Sequence, residues 1–165
     1  QGVIMRKNYG RARSRRGTSR ALGSGVAGAL VLTGLHEAAR RLLPHAPRMD
    51  VIGERALSRS LHALGRRSPR GGRLFAATLA GELFSNSLYY SMVGAASRSR
   101  TVQAGLLIGL AAGVGAVLLP PLIGLGKSPG SKAPLTPLLT VAWYTAGGLA
   151  AAAAARLMDD EPQLA

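Results

Sequence analysis

The chain has 165 residues and a net charge of +14, and 47% of it is hydrophobic although only 4% is aromatic. A chain of this length forms one domain, and apolarity that comes from Ala, Leu, Val and Gly is typical of closely packed membrane helices rather than of a soluble core filled with aromatics. The chain has no cysteine, which excludes disulfides, iron–sulfur clusters, thiolate zinc sites and cysteine nucleophiles.

Residues 1–20 form a basic arm. Its charged residues are Arg6, Lys7, Arg11, Arg13, Arg15, Arg16 and Arg20. Few of its residues can pack in a core, so the composition predicts a disordered segment or one that lies on anionic lipid headgroups. Tyr9 is the only aromatic residue of the arm and offers no stacking platform for bases. We therefore predict lipid contact and no nucleic-acid partner.

The first apolar helix is predicted at about residues 21–43. At 1.5 Å per residue, roughly 20 apolar residues cross the hydrocarbon core of a bilayer, so this segment is long enough to span it. Ser24 and Gly28 lie four residues apart and place two small side chains on one helix face. Small residues at this spacing let a second helix approach closely.

Charged residues appear in the last turns of this helix. Glu37 precedes Arg40 by three positions and Arg41 by four, which predicts a local ion pair with arginines that reach toward the headgroups. His36 stands beside Glu37, but no second histidine follows at the spacing of a zinc-binding helix. We predict no metal and no cofactor.

A basic amphipathic helix is predicted in the connector, at residues 51–67. One stripe of this helix carries Arg55, Arg59, His62 and Arg66, and the opposite side carries Leu57, Leu61 and Leu64. This pattern favours an interfacial helix whose three arginines face headgroup phosphates. A short solvated helix that packs on its own protein fits the pattern equally well.

The second span is predicted at about residues 74–96, and Glu82 is its only charge. A carboxylate inside a span rarely faces lipid, because burying it in hydrocarbon is costly. Asn86, Tyr89 and Tyr90 follow on the same helical face. The set predicts an intramembrane polar site for a proton, a cation or a headgroup, or else a hydrogen-bonded network that fixes helix packing. The adjacent small residues for helix contact are Gly81 and Ser85.

The last two spans are predicted at about residues 103–125 and 136–157. The first of them contains no charge and carries a glycine zipper of Gly105, Gly109 and Gly113 at four-residue spacing. Three residues without side chains on one face predict a helix contact at backbone distance. Residues 158–165 form a short acidic tail.

These elements predict an all-α integral membrane protein: an up-down bundle of four transmembrane helices with both termini on one side. The basic residues then divide into ten and eleven on the two sides, so no positive-inside bias sets the orientation. A re-entrant first helix would divide them into 18 and three. We favour four crossings, because the first apolar helix is long enough to span.

The function that we predict is non-catalytic. The chain is expected to be a small subunit, assembly factor or scaffold of a larger complex in the bacterial inner membrane, where its partners are anionic lipid and other membrane helices. One alternative is a small homo-oligomeric transporter or channel with Glu82 and Asn86 in the path. A lipid-modifying membrane enzyme is the third interpretation.

Overall fold

A computed structural model describes residues 2–43, 46–129 and 135–160, with side chains described from residue 16 onward. Within these ranges the chain is all-helical, without strands. The five α-helices are α1 (Gly2–Leu42), α2 (Met49–Ala63), α3 (Gly72–Ala95), α4 (Thr101–Leu122) and α5 (Leu135–Asp160). A 3₁₀ turn at Arg98–Arg100 leads into α4.

Four of the helices form an antiparallel bundle. Helix α1 packs on α3 and α5, and α4 packs on α5 and α3. At one end, which we call the Arg20 end, Arg20 of α1 meets Gly94 of α3 and Asp159 of α5. Helix α2 lies across the opposite end, the α2 end, where it packs on α3. Successive helices of the bundle therefore run in opposite directions. The part of α1 near Arg20 and the C-terminal end of α5 lie at the same end of the bundle.

The contact between α4 and α5 brings two backbones together. A Cβ atom built on Gly105, Gly109 or Gly113 would lie 2.5–2.7 Å from a backbone atom of α5. The α5 residues that supply these atoms are, in order, Gly148, Thr145 and Val141. Real Cβ atoms do not approach this closely, so glycine at these positions allows the helices to touch along three turns.

The core of the bundle is made of small residues around one tyrosine. Tyr90 is fully buried, and its ring lies against Gly28 of α1 and Gly147 of α5. Its hydroxyl donates a 2.7 Å hydrogen bond to the backbone carbonyl of Tyr144. The buried polar group is therefore satisfied, and the glycines leave the space that the ring fills.

Two helix boundaries differ from the sequence prediction. Helix α1 begins at Gly2, so the arm at residues 1–20, for which disorder was one expectation, belongs to the helix from its second residue. Extending an existing helix requires no new nucleus, and arginine and alanine have high helix propensity. Helix α2 ends at Ala63 rather than near residue 67, because Gly65 takes a φ of 68° and the N–H of Arg66 bonds the Leu61 carbonyl.

Two of the helices are long and apolar enough to cross a membrane, judged by length and composition. They are α4 with its preceding turn, Arg98–Leu122, and α5, Leu135–Asp160. Among the described residues, α1 and α3 do not reach that apolarity, since charged side chains such as Glu37 and Glu82 interrupt them. Two candidate spans are thus shown, and the four-span arrangement stays a prediction.

Candidate functional site: a polar chamber beneath α2

A small polar cavity lies at the α2 end, between α1, α3 and the beginning of α2. Its volume is about 20 Å³. The polar residues that line it are Thr33, His36, Glu37 and Arg40 of α1, Asp50 of α2, and Thr78 and Glu82 of α3. We call it the Glu82 chamber. A cavity needs roughly 10–15 Å³ to hold one water molecule, so the chamber has room for a single small occupant.

Two buried polar atoms in the chamber lack a hydrogen-bond partner within the part of the chain that the structure describes, and one carboxylate there lacks an ion pair. Thr78 is only 4% exposed, and its hydroxyl makes no hydrogen bond. The Nε2 atom of His36 is buried and also makes none. The Glu82 carboxylate forms no ion pair with any described arginine or lysine. Buried polar groups are nearly always hydrogen-bonded, and two of the four buried side-chain atoms without a hydrogen-bond partner among the described residues line this one cavity.

The His36 ring is held in place by aromatic side chains of α5. Its centroid lies 5.4 Å from that of Trp143 and 5.6 Å from that of Tyr144, and both pairs are edge-to-face. Such pairs stabilise one ring orientation by about 0.5–1.5 kcal/mol beyond simple burial. The imidazole is therefore a fixed part of the chamber wall.

Ion pairs surround the chamber and neutralise its other carboxylates. Glu37 accepts a 2.7 Å contact from Arg40 and lies 3.8 Å from Arg41, so the predicted local ion pair is present. Asp50 pairs with Arg48 at 2.8 Å. Burial alone would raise the pKa of Asp50, but the hydrogen bonds and charge of Arg48 lower that pKa below its usual value. Glu82 is the lining carboxylate that remains without a counter-charge.

Helix α2 covers the chamber. Its Gly53 packs directly on α3, since a Cβ built there would lie 2.6 Å from the Thr78 methyl carbon and 3.2 Å from the Glu82 carboxyl carbon. Arg55 donates to the carbonyl groups of Leu125 and Lys127, at 3.1 and 3.2 Å. Arg59 donates to the Ile123 carbonyl at 2.8 Å. These bonds tie α2 to the segment that follows α4.

Two of the α2 arginines have partners within the chain, although both are exposed and their contact with headgroups stays a prediction. Arg55 and Arg59 were expected to face headgroups, whereas their guanidinium groups bond carbonyls beyond the C-terminal end of α4. A helix C-terminus leaves carbonyl groups unpaired and carries partial negative charge, which favours a cation there. Arg66 is exposed, and its contact with headgroups stays a prediction.

The polar residues predicted on one face of α3 do not form one site. Glu82 lies in the chamber, while Tyr90 lies in the core and Tyr89 donates to the Ile108 carbonyl of α4 at 3.3 Å. Asn86 is half-buried and does not line the chamber. Successive turns of α3 meet different neighbours, first α2 and then α4 and α5, so residues on one face have separate surroundings.

Of the small residues predicted for helix packing in α1 and α3, those of α1 are buried and those of α3 are exposed. Ser24 and Gly28 of α1 are buried in the bundle. Gly81 and Ser85 of α3 are exposed, and a Cβ on Gly81 would meet no described atom within 4 Å. The exposed Gly81 therefore packs against no described helix of this chain.

A second polar cluster, at the Arg20 end, was not predicted from the sequence. Arg20 donates to the backbone carbonyls of Gly94 and Ala96 and, at 2.9 Å, to the Thr101 hydroxyl. Its Nε lies 2.9 Å from Asp159, and the two side chains are only 14% and 21% exposed. The available signal was a pair of opposite charges at the outer ends of the first and last apolar segments, which an antiparallel bundle brings together.

Within the described ranges, no three His, Asp or Glu side chains converge closely enough to hold a metal ion among themselves. Compared with known protein families, curated proteins and solved structures, the chain matches none of them.

Proposed function

We propose that the chain is a multi-pass integral membrane protein whose role is structural: a subunit, assembly factor or scaffold of a larger complex in the bacterial inner membrane. The observation that carries this proposal is the closure of the bundle around its axis. Tyr90 fills the core between Gly28 and Gly147, and the glycine contact joins α4 to α5 at backbone distance. The Glu82 chamber, with room for one water, is too small to form part of a solute path.

The outer surface supports membrane placement of all four bundle helices. Each of them exposes large apolar side chains, for example Leu30 (55% exposed), Phe84 (67%), Leu107 (60%) and Leu138 (66%). Apolar surface on every side of a bundle requires lipid or other membrane helices around it. His36 and Glu82, two of the polar side chains that lower the apolarity of α1 and α3, line the chamber.

We expect the antiparallel bundle to place Ser19 and Ser99 on one side of the membrane and Ser60 on the other. All three residues are exposed, and the chain has no native cysteine, so each can be replaced singly by Cys and labelled with a membrane-impermeant maleimide. Ser19→Cys and Ser99→Cys should react from the same side in intact membranes. Reaction of Ser19→Cys and Ser60→Cys from the same side would show that α1 is re-entrant.

The structural role is tested by native purification in mild detergent, followed by mass spectrometry of the intact complex. The expected result is a stoichiometric complex with at least one other membrane protein. Gly81→Leu places a large side chain on the exposed face of α3 that Gly81 and Ser85 form. If a partner helix packs there, this substitution should reduce recovery of the partner. Ala111→Leu, at an exposed position of α4, is the matched control and should leave it unchanged.

A transporter or channel is the second candidate, and the observation that favours it is the uncompensated Glu82 carboxylate. In that case the path must form between copies of the chain, since the bundle is closed. Purification as a homo-oligomer that conducts cations in proteoliposomes, with no other subunit, would replace the structural proposal by this one.

A further inference from the structure

An open cavity of about 400 Å³ lies at the C-terminal end of α1. The charged residues that line it are Arg40, Arg41 and Arg48, and none of its described lining residues is acidic. Leu42 and Leu43 supply an apolar wall, and Pro129 lines it from the segment that follows α4. We call this cavity the Arg41 pocket. Sites for small ligands usually have volumes of roughly 300–1,000 Å³, so the pocket can hold a group larger than water.

Carboxylates hold two of these arginines but leave part of each guanidinium group available. Arg40 donates from Nε and Nη2 to Glu37, at 3.2 and 2.7 Å. Arg48 donates from the same two atoms to Asp50, at 2.9 and 2.8 Å. A guanidinium group has five N–H donors, and the Nη1 atom of neither arginine donates a hydrogen bond to any described residue. The ion pairs therefore fix both side chains and leave the Nη1 donors for a ligand.

Arg41 supplies positive charge that the carboxylates do not neutralise. It lies 3.8 Å from Glu37, which already pairs with Arg40, and its side chain is 74% exposed. Three arginines share two carboxylates here, which leaves one positive charge in excess. The surrounding segment, residues 37–73, carries nine arginines and three acidic residues, so its potential is positive as well. The pocket therefore attracts an anion.

The leucines beside the guanidinium groups indicate which kind of anion fits. Leu42 is 77% exposed and Leu43 is 45% exposed, so the pocket places apolar surface next to phosphate-binding groups. Arginine binds phosphate through parallel N–H donors, and basic pockets of membrane helices bind lipid headgroups. A free phosphate would leave both leucines uncovered, whereas a phospholipid brings a phosphate and an acyl chain together.

We propose that the Arg41 pocket binds one anionic glycerophospholipid, with its phosphate against the three guanidinium groups and an acyl chain along the two leucines. This inference rests on the membrane placement in the proposed function, in which α1 is a span and its C-terminal end lies among headgroups. The Arg48 backbone N–H donates to the Ser128 hydroxyl oxygen at 2.9 Å, so the connector before α2 meets the segment after α4 beside the pocket. A bound lipid would stabilise that contact.

The test titrates the delipidated full chain in mild detergent and counts bound ligands by native mass spectrometry. The probes are phosphatidylglycerol, which is anionic, phosphatidylcholine with the same acyl chains, which is zwitterionic, and inorganic phosphate. We expect one phosphatidylglycerol molecule to bind saturably, with a dissociation constant about tenfold or more below that of phosphatidylcholine. Inorganic phosphate should not bind in the same concentration range.

One variant and a matched control locate the site. Arg41→Gln and Arg66→Gln each remove one exposed positive charge from the α2 end, but Arg66 does not line the pocket. Arg41→Gln should weaken phosphatidylglycerol binding about tenfold, and Arg66→Gln should leave it unchanged. Thermal unfolding, followed by the fluorescence of Trp143, checks that both variants fold. If Arg41→Gln does not fold, Arg48→Lys replaces it, because lysine keeps the charge beside Asp50 and lacks the Nη1 donors.

Equal binding of the two lipids would overturn the proposal, and so would equal weakening by Arg41→Gln and Arg66→Gln, which would indicate attraction to the whole basic end. Inorganic phosphate that binds as tightly as phosphatidylglycerol would overturn it in favour of a free anion. The cysteine-labelling experiment tests membrane placement separately. A chain that labels as a multi-pass protein but does not distinguish the lipids would lack this site and keep its membrane placement.

Discussion

Arg20→Ala is expected to destabilise the bundle by about 3–5 kcal/mol, the usual effect of removing one partner of a buried ion pair. The Arg20 guanidinium joins three helices, since it bonds α3 carbonyls, the Thr101 hydroxyl at the start of α4, and Asp159 of α5. Without it, Asp159 is left as a largely buried charge without a counter-charge. Thermal unfolding in detergent measures the loss as a lower Tm, by 2–4 °C for each kcal/mol.

The same end of the bundle supplies the control. Arg98 pairs with Asp160, but these side chains are 62% and 59% exposed, and exposed pairs contribute about 0–1 kcal/mol. Arg98→Ala should therefore lower Tm only slightly. Adding Asp159→Asn to Arg20→Ala should recover part of the loss, because it removes the unpaired charge. Equal effects of Arg20→Ala and Arg98→Ala would mean that the Arg20 cluster does not hold the helices together.

The sequence predicts best what depends on neighbouring residues. The glycines of α4 were expected to form a close helix contact from their spacing alone, and all three lie against the α5 backbone. The local ion pair of Glu37 with Arg40 and Arg41 also follows from spacing and is present. Such features depend only on the geometry of one helix. Because an α-helix has 3.6 residues per turn, the spacing of residues in the sequence shows which of them share a face.

Contacts between distant segments could not be predicted in this way. The bonds from Arg55 and Arg59 to the segment after α4 depend on where α2 crosses the bundle, which no local pattern shows. For the same reason Arg20 was placed in an arm predicted to be disordered or to lie on lipid headgroups, although it bonds residues more than 70 positions away. Arg20 and Arg59 bond carbonyls at helix ends, and Arg55 bonds carbonyls of the segment that follows α4. The sequence does not say which of these segments meet.

The Glu82 chamber contains one residue that the sequence predicted and others that it did not. Glu82 was identified from the sequence, because a carboxylate in an apolar segment must face inward. Its helical face then suggested Asn86, Tyr89 and Tyr90 as companions, whereas the chamber is completed by Thr78 on the preceding turn and by His36 of α1. Residues on one face of a helix contact different neighbouring helices at successive turns. Whether a residue belongs to a site therefore depends on which helix packs beside its turn.

Gly109→Leu, at the middle of the three glycines of α4, is expected to disrupt the contact between α4 and α5. Even a Cβ at this position would lie 2.7 Å from the Thr145 Cα and 2.8 Å from the Tyr144 carbonyl oxygen. Both are backbone atoms, so no side-chain rotation relieves the clash, and the helices must separate along their length. Overpacking of a core costs about 1–3 kcal/mol where side chains can adjust, and we expect about 3 kcal/mol or more here.

Gly34→Leu is the matched control, since it makes the same chemical change within α1. Gly34 is exposed and a Cβ there meets no described atom within 4 Å, while leucine has a higher helix propensity than glycine. Thermal unfolding in detergent should therefore show an unchanged or higher Tm for Gly34→Leu and a Tm lower by about 6 °C or more for Gly109→Leu. If the two variants unfold at the same temperature, α4 and α5 are not joined through their glycines, and the closed bundle that supports a structural role in the membrane is incorrect.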